Sequence, residues 1–128
     1  MLVNQLSVFM ENKEGRLEQV LETLKDSNIN INSLCLAETT DYGLVRMIVS
    51  DPEAGRNALK EKGFAAMLTP VLAVDVADKV GELQVVLTKI TKAGINIEYI
   101  YSMKEGTDGA TIVIRTSDLE KTQEVLNA

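Results

Sequence analysis

The strongest constraint on the fold is an internal repeat, because the chain resembles itself at an offset of 66 residues. This offset aligns residues 5–62 with residues 71–128 and requires no insertion. The matches fall mainly at apolar positions in phase, at glycines and at one asparagine, where packing and backbone conformation restrict the residue most. The repeat predicts two units of similar fold, at residues 1–70 and 71–128. The identical pairs are Leu6/Leu72, Val8/Val74, Lys13/Lys79, Gly15/Gly81, Leu17/Leu83, Val20/Val86, Leu21/Leu87, Ile29/Ile95, Asn30/Asn96, Ile31/Ile97, Gly43/Gly109 and Ile48/Ile114.

Each copy opens with a period-two pattern, a glycine turn and then a pattern of helical spacing. Apolar residues alternate first, which is typical of a strand with one buried face. After the glycine they recur at i, i+3, i+4 and i+7, which predicts an amphipathic helix. Asn28 and Gly94 tolerate a left-handed conformation and are predicted to end these helices. In the first copy the alternating residues are Leu6, Val8 and Met10, and the residues at helical spacing are Leu17, Val20, Leu21 and Leu24. In the second copy they are Leu72, Val74 and Val76, and Leu83, Val86, Leu87 and Ile90.

A β-hairpin and a second helix complete each copy. Strands are predicted at about 31–39 and 43–50, and again at about 97–104 and 109–116, with hairpin turns between them and Asp-Gly in the second turn. The last helix of the first copy should begin at Asp51-Pro52 and end at Gly63, and Ser117 with Glu120 predicts a capping box for the other.

The order of elements predicts an α+β fold of two tandem ferredoxin-like βαββαβ units, with antiparallel sheets and the helices on one face. Phe64–Thr69 would be the fourth strand of the first copy, whereas the second copy lacks its own C-terminal strand. The open edge needs a partner strand. The candidates are Phe64–Thr69, the N-terminal residues Met1–Asn4, or another chain, and we therefore expect a homodimer or higher oligomer.

Composition excludes several classes of function. The chain has no histidine and one cysteine, which excludes Ser-His-Asp and Cys-His catalysis, His-ligated zinc and an intramolecular disulfide. Phosphate-binding loops, dinucleotide fingerprints and the GxSxG elbow are also absent from the sequence. We therefore expect no catalytic residues, no metal and no cofactor.

Charge and hydropathy exclude other partners. Nineteen acidic and 13 basic residues give a net charge of −6, which argues against binding to nucleic acid or to an anionic membrane. No apolar run approaches the roughly 18 residues of a membrane span, and no signal peptide is recognised. We expect a cytoplasmic protein.

Two other classes share the predicted fold. Acylphosphatases carry an arginine beside the first turn, where this chain has Arg16 in one copy but Glu82 in the other. RNA-recognition domains stack bases on sheet aromatics, and Tyr99 and Tyr101 share a strand face, but no basic cluster accompanies them. Packing of these tyrosines against another sheet or subunit is the preferred interpretation.

The glycine turns are the candidate functional sites. A glycine at a helix start lets backbone N–H groups approach an anion, which the helix dipole also favours. Asn12 and Asp78 precede the turns and can bind an ammonium group, while Asn30 and Asn96 place an amide at the entrance to the second strand. Together these are the groups needed to hold an α-amino acid. The alternative is structural: the first two residues only cap helices, and the last two only turn the chain.

The segments Asn12–Leu17 and Asn28–Ile31, with their repeats Asp78–Leu83 and Gly94–Ile97, resemble the ACT domain family. The family consists of small βαββαβ modules that regulate amino-acid metabolism, and the resemblance covers nearly the whole chain as two tandem copies. In such modules units pair edge to edge and amino acids bind at the interface near the glycine turn. The family's proline before the turn glycine is replaced by Glu14 and Val80. The resemblance implies binding residues Asn12, Lys13, Gly15, Arg16, Leu17 and Asn30 in one copy and Asp78, Val80, Gly81, Glu82, Leu83 and Asn96 in the other.

The resemblance implies a regulatory or sensor protein without catalytic activity. It would hold an amino acid at the interface of ACT units and signal occupancy in trans to a partner such as an enzyme. Acidic residues around the second turn (Asp75, Asp78 and Glu82) hint at a cationic amino acid: lysine, arginine or histidine. The alternative is a ligand-free oligomerisation or interaction module that assembles with an enzyme or transporter subunit.

Overall fold

A computed structural model describes residues 1–38, 41–103 and 109–127. The chain divides into two compact units. The first unit is Asn4–Thr69, and the second unit is Pro70–Ala128 together with Met1–Val3. In chain order the elements are β1 (Leu2–Glu11), α1 (Arg16–Asp26), β2 (Ile31–Glu38), β3 (Tyr42–Val49), α2 (Pro52–Glu61), β4 (Ala65–Ala77), α3 (Glu82–Lys92), β5 (Ile97–Met103), β6 (Gly109–Thr116) and α4 (Leu119–Asn127).

The first unit has the strand order β2-β3-β1-β4, which confirms the ferredoxin-like prediction. Strand β3 is antiparallel to both of its neighbours, and Met47 lies opposite Leu6 on one side and Leu34 on the other. Helices α1 and α2 contact each other, and both bury apolar side chains in the same core. That core consists of Leu6, Val8, Met10, Val20, Leu24, Ile29, Val45, Met47, Val49, Leu59 and Ala66.

The second unit repeats this plan around a smaller buried core. Strand β6 lies between β4 and β5 and is antiparallel to both, with Ile114 opposite Leu72 and Ile100. Helix α3 contacts α4, as α1 contacts α2 in the first unit. The buried members of the core are Ile90, Ile95, Ile112 and Ile114.

The chain's own N-terminus covers the edge that the second copy leaves open. The Met1 amino group donates to the Ala73 carbonyl oxygen at 3.1 Å, and the Ala73 N–H donates to the Met1 carbonyl oxygen at 2.9 Å. This reciprocal pair is the pattern of an antiparallel ladder. Of the three predicted candidates, the N-terminal segment is therefore the one that pairs with this strand. Strand β4 is continuous from Ala65 to Ala77, although the sequence predicts separate segments there.

The prediction of a repeat without insertion is wrong from β6 onward, the second strand of the hairpin in the second unit. Leu72 follows Leu6 by 66 positions, but their strand partners Ile114 and Met47 are 67 positions apart. One extra residue therefore lies between Met103 and the body of β6. The identities Gly43/Gly109 and Ile48/Ile114 are consequently not structurally equivalent. The predicted turns at 39–43 and 105–109 fall largely outside the described residues.

The shifted offset also corrects the predicted start of the last helix. The Asp51 side chain caps α2 by accepting a hydrogen bond from the Ala54 N–H at 3.1 Å. In α4 the equivalent interaction is made by Asp118, which accepts from the Lys121 N–H at 3.0 Å. Ser117, the predicted cap, instead accepts from the Asn96 N–H. The capping box is therefore replaced by an aspartate cap, one residue later.

Within the part of the chain that the structure describes, no helix is long and apolar enough to cross a membrane.

Candidate ligand-binding site

The two glycine turns have the same backbone conformation. Gly15 has φ 80° and ψ −6°, and Gly81 has φ 85° and ψ −6°. A side chain added at either glycine would meet no atom within 4 Å, so the left-handed φ, rather than lack of space, explains the glycine. The N-cap residues of α1 and α3 are Gly15 and Gly81, and neither glycine has a side chain that could cap its helix. Asn12 and Asp78 each precede the N-cap glycine by three residues.

A pocket of about 210 Å³ lies at the turn of the first unit. Its walls come from the end of β1, the turn, the first residues of α1 and the hairpin side of β2 and β3. Five of the six predicted residues of this copy line it: Asn12, Lys13, Gly15, Arg16 and Leu17. The turn is tied to the hairpin, because the Asn12 N–H donates to the Asp41 carbonyl oxygen at 3.0 Å.

Sequence reasoning missed the other walls of this pocket. They are Met10, Glu11, Glu18, Leu36 and Gly43. Leu36 lies diagonally across the β2–β3 hairpin from Gly43, where its Cδ1 would be 3.6 Å from a Cβ added at that glycine. The distance of both residues from the turn in sequence hides this contribution. The alternation of apolar residues in β2 could have indicated Leu36, because it places this side chain on the helix-covered face of the sheet. There the side chain is nevertheless 45% exposed.

Asn30 is not brought to this pocket. It follows the other end of α1, a helix of 11 residues and hence about 16 Å long. The Asn30 N–H donates to Ser50 Oγ at 2.9 Å, the Ser50 N–H donates to the Asn30 carbonyl oxygen at 2.9 Å, and Asn30 Nδ2 donates to Asn32 Oδ1 at 3.2 Å. Asn96 makes the same backbone exchange with Ser117. In both copies this asparagine joins the start of one hairpin strand to the end of the other.

The turn of the second unit carries the opposite charge. Glu82 occupies the position of Arg16, and Asp78 the position of Asn12. Val80 is fully exposed at 105% and Leu83 is 40% exposed. Asp75 is engaged within the sheet, because its Oδ1 accepts a hydrogen bond from Thr111 Oγ1 at 2.9 Å. The backbone of Gly81 therefore repeats the first turn, but its surroundings do not.

Arg16 is the cation best placed to meet a carboxylate at the first turn. Its Nη1 donates to Gln19 Oε1 at 3.1 Å, and its Nη2 lies 3.9 Å from Glu11 Oε2. The contact with Glu11 is long, and the side chains are 35% and 63% exposed, so a ligand carboxylate can replace it at little cost. The guanidinium can then form paired hydrogen bonds with that carboxylate.

The tyrosine pair of β5 has the predicted arrangement on one strand face. The rings of Tyr99 and Tyr101 stack with centroids 6.4 Å apart and an interplanar angle of 15°. Arg115 lies opposite Tyr99, where its Nη1 donates to the Pro70 carbonyl oxygen and its Nε is 3.4 Å from Glu98 Oε1.

Among the described residues no group of three or more His, Cys, Asp or Glu side chains could hold a metal ion.

Comparison with known proteins gives a consistent result. A family model described as an ACT domain pair matches residues 1–128. A crystal structure of a protein from Bacteroides thetaiotaomicron is 43% identical, has a TM-score of 0.93, and the match covers 99% of this chain and 88% of that one. No curated protein sequence matches significantly.

More distant structures share the fold alone. The ligand-free regulatory subunit of aspartate kinase from Thermus thermophilus is 14% identical with a TM-score of 0.65, covering 99% of this chain and 95% of that one. The regulatory subunit from Thermus flavus is 15% identical with a TM-score of 0.61, covering 99% and 94%.

Proposed function

The chain belongs to the ACT domain family as a pair of such domains, and from this premise we propose that it is a non-catalytic regulatory protein that binds an amino acid. The two Thermus proteins of similar fold are regulatory subunits of aspartate kinase, which supports a regulatory role on a shared fold. The observation that carries the proposal is the pocket at Gly15, where five residues of the turn motif line one cavity.

The first turn supplies complementary groups for both ends of an amino acid. The N-terminus of α1, which begins after Gly15, and the guanidinium of Arg16 suit the carboxylate. The side chains of Asn12 and Glu18 supply oxygen acceptors for the ammonium group. Leu17 and Leu36 offer apolar surface to the remainder. A volume of about 210 Å³ is below the range of about 300–1,000 Å³ for pockets that hold drug-sized ligands, as expected for a smaller molecule.

The two turns would prefer different ligands. In the first pocket the positive charges of Lys13 and Arg16 balance the negative charges of Glu11 and Glu18, which suits a neutral amino acid. Asp78 and Glu82 make the second turn suitable for a cationic one, such as lysine, arginine or histidine, if it is occupied. Asn30 and Asn96 would join a site only where a second subunit brings the far end of its helix to a turn, so we propose a homodimer or higher oligomer.

Regulation would follow from linkage. A ligand that binds one packing of the subunits more tightly than another shifts the population by its differential affinity, and a partner enzyme would sense that shift. A coupling of about 1–3 kcal/mol corresponds to a change in affinity of roughly 5- to 150-fold.

A ligand-free interaction module is the second candidate function. The observation that favours it is apolar side chains left exposed along equivalent edge strands. Leu34 and Leu36 in β2 are 39% and 45% exposed, and Ile100, the counterpart of Leu34, is 38% exposed. Such a surface suits assembly with another subunit whether or not the turn holds a ligand.

A thermal-shift screen of the twenty amino acids tests the primary proposal. A ligand at 100 times its dissociation constant adds about 2.7 kcal/mol to the free energy of unfolding. Asn12→Ala should abolish the shift, whereas Asn57→Ala, an exposed asparagine in α2, should leave it unchanged. A folded protein that responds to none of the twenty would contradict the sensor role, and altered assembly in Asn12→Ala without any ligand effect would favour the module.

A further inference from the structure

A second and larger cleft lies entirely within the first unit. It has a volume of about 330 Å³ and is formed by the ends of β1 and α2, the first turn of α1, the start of β3 and the link into β4. It shares Met10, Glu11 and Arg16 with the turn pocket, but its other walls are different. Of the lining residues, those that bear on a ligand are Phe9, Glu11, Arg16, Tyr42, Lys62 and Phe64.

Aromatic side chains are concentrated in this cleft to an unusual degree. The whole chain has two phenylalanines and three tyrosines, and both phenylalanines and one tyrosine line this one cavity. Phe9 is 47% exposed and Tyr42 is 64% exposed, although burial of such rings is strongly favourable. Both rings therefore keep apolar surface in contact with solvent at this cleft, and a planar apolar ligand would bury part of it.

The charge of the cleft is positive in an acidic protein. Arg16 and Lys62 face a single carboxylate among the lining residues, Glu11, whereas the chain as a whole carries −6. Lys62 is the C-cap residue of α2, where the helix dipole favours a cation. One uncompensated positive charge matches a monoanion better than a dianionic phosphate.

The cleft is a property of the first unit and not of the repeat. At the positions equivalent to Phe9, Arg16 and Tyr42, the second unit has Asp75, Glu82 and Gly109. These replacements remove both rings and reverse the charge. The aromatic and cationic residues are therefore not required by the fold that the two units share.

We propose that this cleft binds a small aromatic carboxylate without an α-ammonium group. The ring packs against Phe9, Tyr42 and Phe64, and the carboxylate binds between Arg16 and Lys62 as Arg16 leaves its 3.9 Å contact with Glu11. An α-amino acid is disfavoured here because it is a zwitterion without net charge, whereas Arg16 and Lys62 against Glu11 leave one uncompensated positive charge that an anion neutralises. The ligand therefore differs in class from the one proposed for the turn.

Titration of the full chain with phenylacetate, followed by two-dimensional NMR, tests this assignment. Phenylacetate should shift amide signals around Tyr42 and Lys62, and its neutral analogue phenylacetamide should bind about tenfold or more weakly because it lacks the charge-assisted contacts. Lys62→Gln and Tyr42→Ala should each weaken phenylacetate binding about tenfold. Lys60→Gln, an exposed lysine of α2 outside the cleft, is the matched control and should bind normally.

Three results would overturn the assignment: absence of binding to a folded protein, equal binding of phenylacetamide, or normal binding by both Lys62→Gln and Tyr42→Ala. Asn12→Ala separates this cleft from the turn pocket, since that residue lines only the latter. It should abolish amino-acid binding and leave phenylacetate binding intact, so either site can fail without the other.

Discussion

Met1 and Ala73 exchange two backbone hydrogen bonds, of 3.1 Å from the Met1 amino group and 2.9 Å from the Ala73 N–H. The second unit thus receives its fourth strand from the opposite end of the chain, whereas the first unit uses the segment that follows its second helix. An unpaired edge on β4 would be open to pairing with other chains. The N-terminal residues therefore have a structural role through their backbone, although the side chains of Met1 and Leu2 are exposed.

Removal of Met1–Val3 should destabilise the second unit. Two backbone hydrogen bonds at about 0.5–1.5 kcal/mol each predict a loss of about 1–3 kcal/mol. The measurement is amide hydrogen exchange, in which the Ala73 N–H should lose protection while Val45 in β3 keeps it. Unchanged protection at Ala73 would show that the pairing contributes nothing.

Substitution of either turn glycine should be costly even though space is available. Gly15→Ala and Gly81→Ala force a side chain into a left-handed φ, which we expect to cost about 1–2 kcal/mol each in urea denaturation. Gly43→Ala is the control, because this residue lies in a strand with ordinary φ and its added Cβ would make contacts no closer than 3.6 Å. Equal losses for all three would contradict the conformational explanation.

Substitutions at the start of α4 can distinguish the observed Asp118 cap from the capping box that the sequence predicts at Ser117 and Glu120. Asp118→Ala removes the acceptor of the Lys121 N–H and should cost about 1 kcal/mol, as should Asp51→Ala in α2. Glu120→Ala, which would disrupt a capping box begun by Ser117, should change stability by only a few tenths of a kcal/mol. Thermal unfolding of the three variants provides the test.

The sequence error at this helix has a specific cause. The identical pairs that precede β6 set the offset at 66 residues. The apolar pattern of β6 does not reveal that one extra residue comes before it. At an offset of 67 the pairs Ser50/Ser117, Asp51/Asp118, Glu53/Glu120 and Leu59/Leu126 match, so the signal was present but outweighed. Local periodicity therefore predicted the helices and the strands of each copy. The continuity of β4 and the equivalence between copies follow only from the strand pairing.

The two cavities of the first unit differ in how far the sequence predicts them. The turn pocket could be predicted in large part because Asn12, Lys13, Gly15, Arg16 and Leu17 are contiguous and their backbone geometry follows from one glycine. The aromatic cleft could not, because Phe9, Tyr42 and Phe64 belong to segments that only the completed sheet brings together. Likewise, only the tertiary structure shows that the N-terminal segment pairs with the open edge of the second unit.

Gly55 marks a close approach of α2 to the core of the first unit. An added Cβ would lie 3.0 Å from Leu6 Cδ2 and 3.3 Å from Leu24 Cδ2. Gly55→Ala should gain about 1 kcal/mol of helix propensity but lose about 1–3 kcal/mol through overpacking, giving net destabilisation. Leu6→Val relieves this contact but also removes buried apolar volume, so the two substitutions together should cost less in urea denaturation than the sum of their separate losses. A stabilised Gly55→Ala variant would contradict this balance.

Arg16 lines both the turn pocket and the aromatic cleft, so its removal should affect two ligands at once. Arg16→Gln deletes the guanidinium and should weaken the amino acid and phenylacetate each by about tenfold, with little effect on stability because its contact with Glu11 is exposed. In the wild-type chain the two ligands should compete for this one side chain, so saturating phenylacetate should weaken amino-acid binding. Calorimetric titration of one ligand in the presence of the other measures this coupling, and by reciprocity the same factor must appear in both directions. Independent binding of the two ligands, with normal affinities in Arg16→Gln, would exclude Arg16 from both sites.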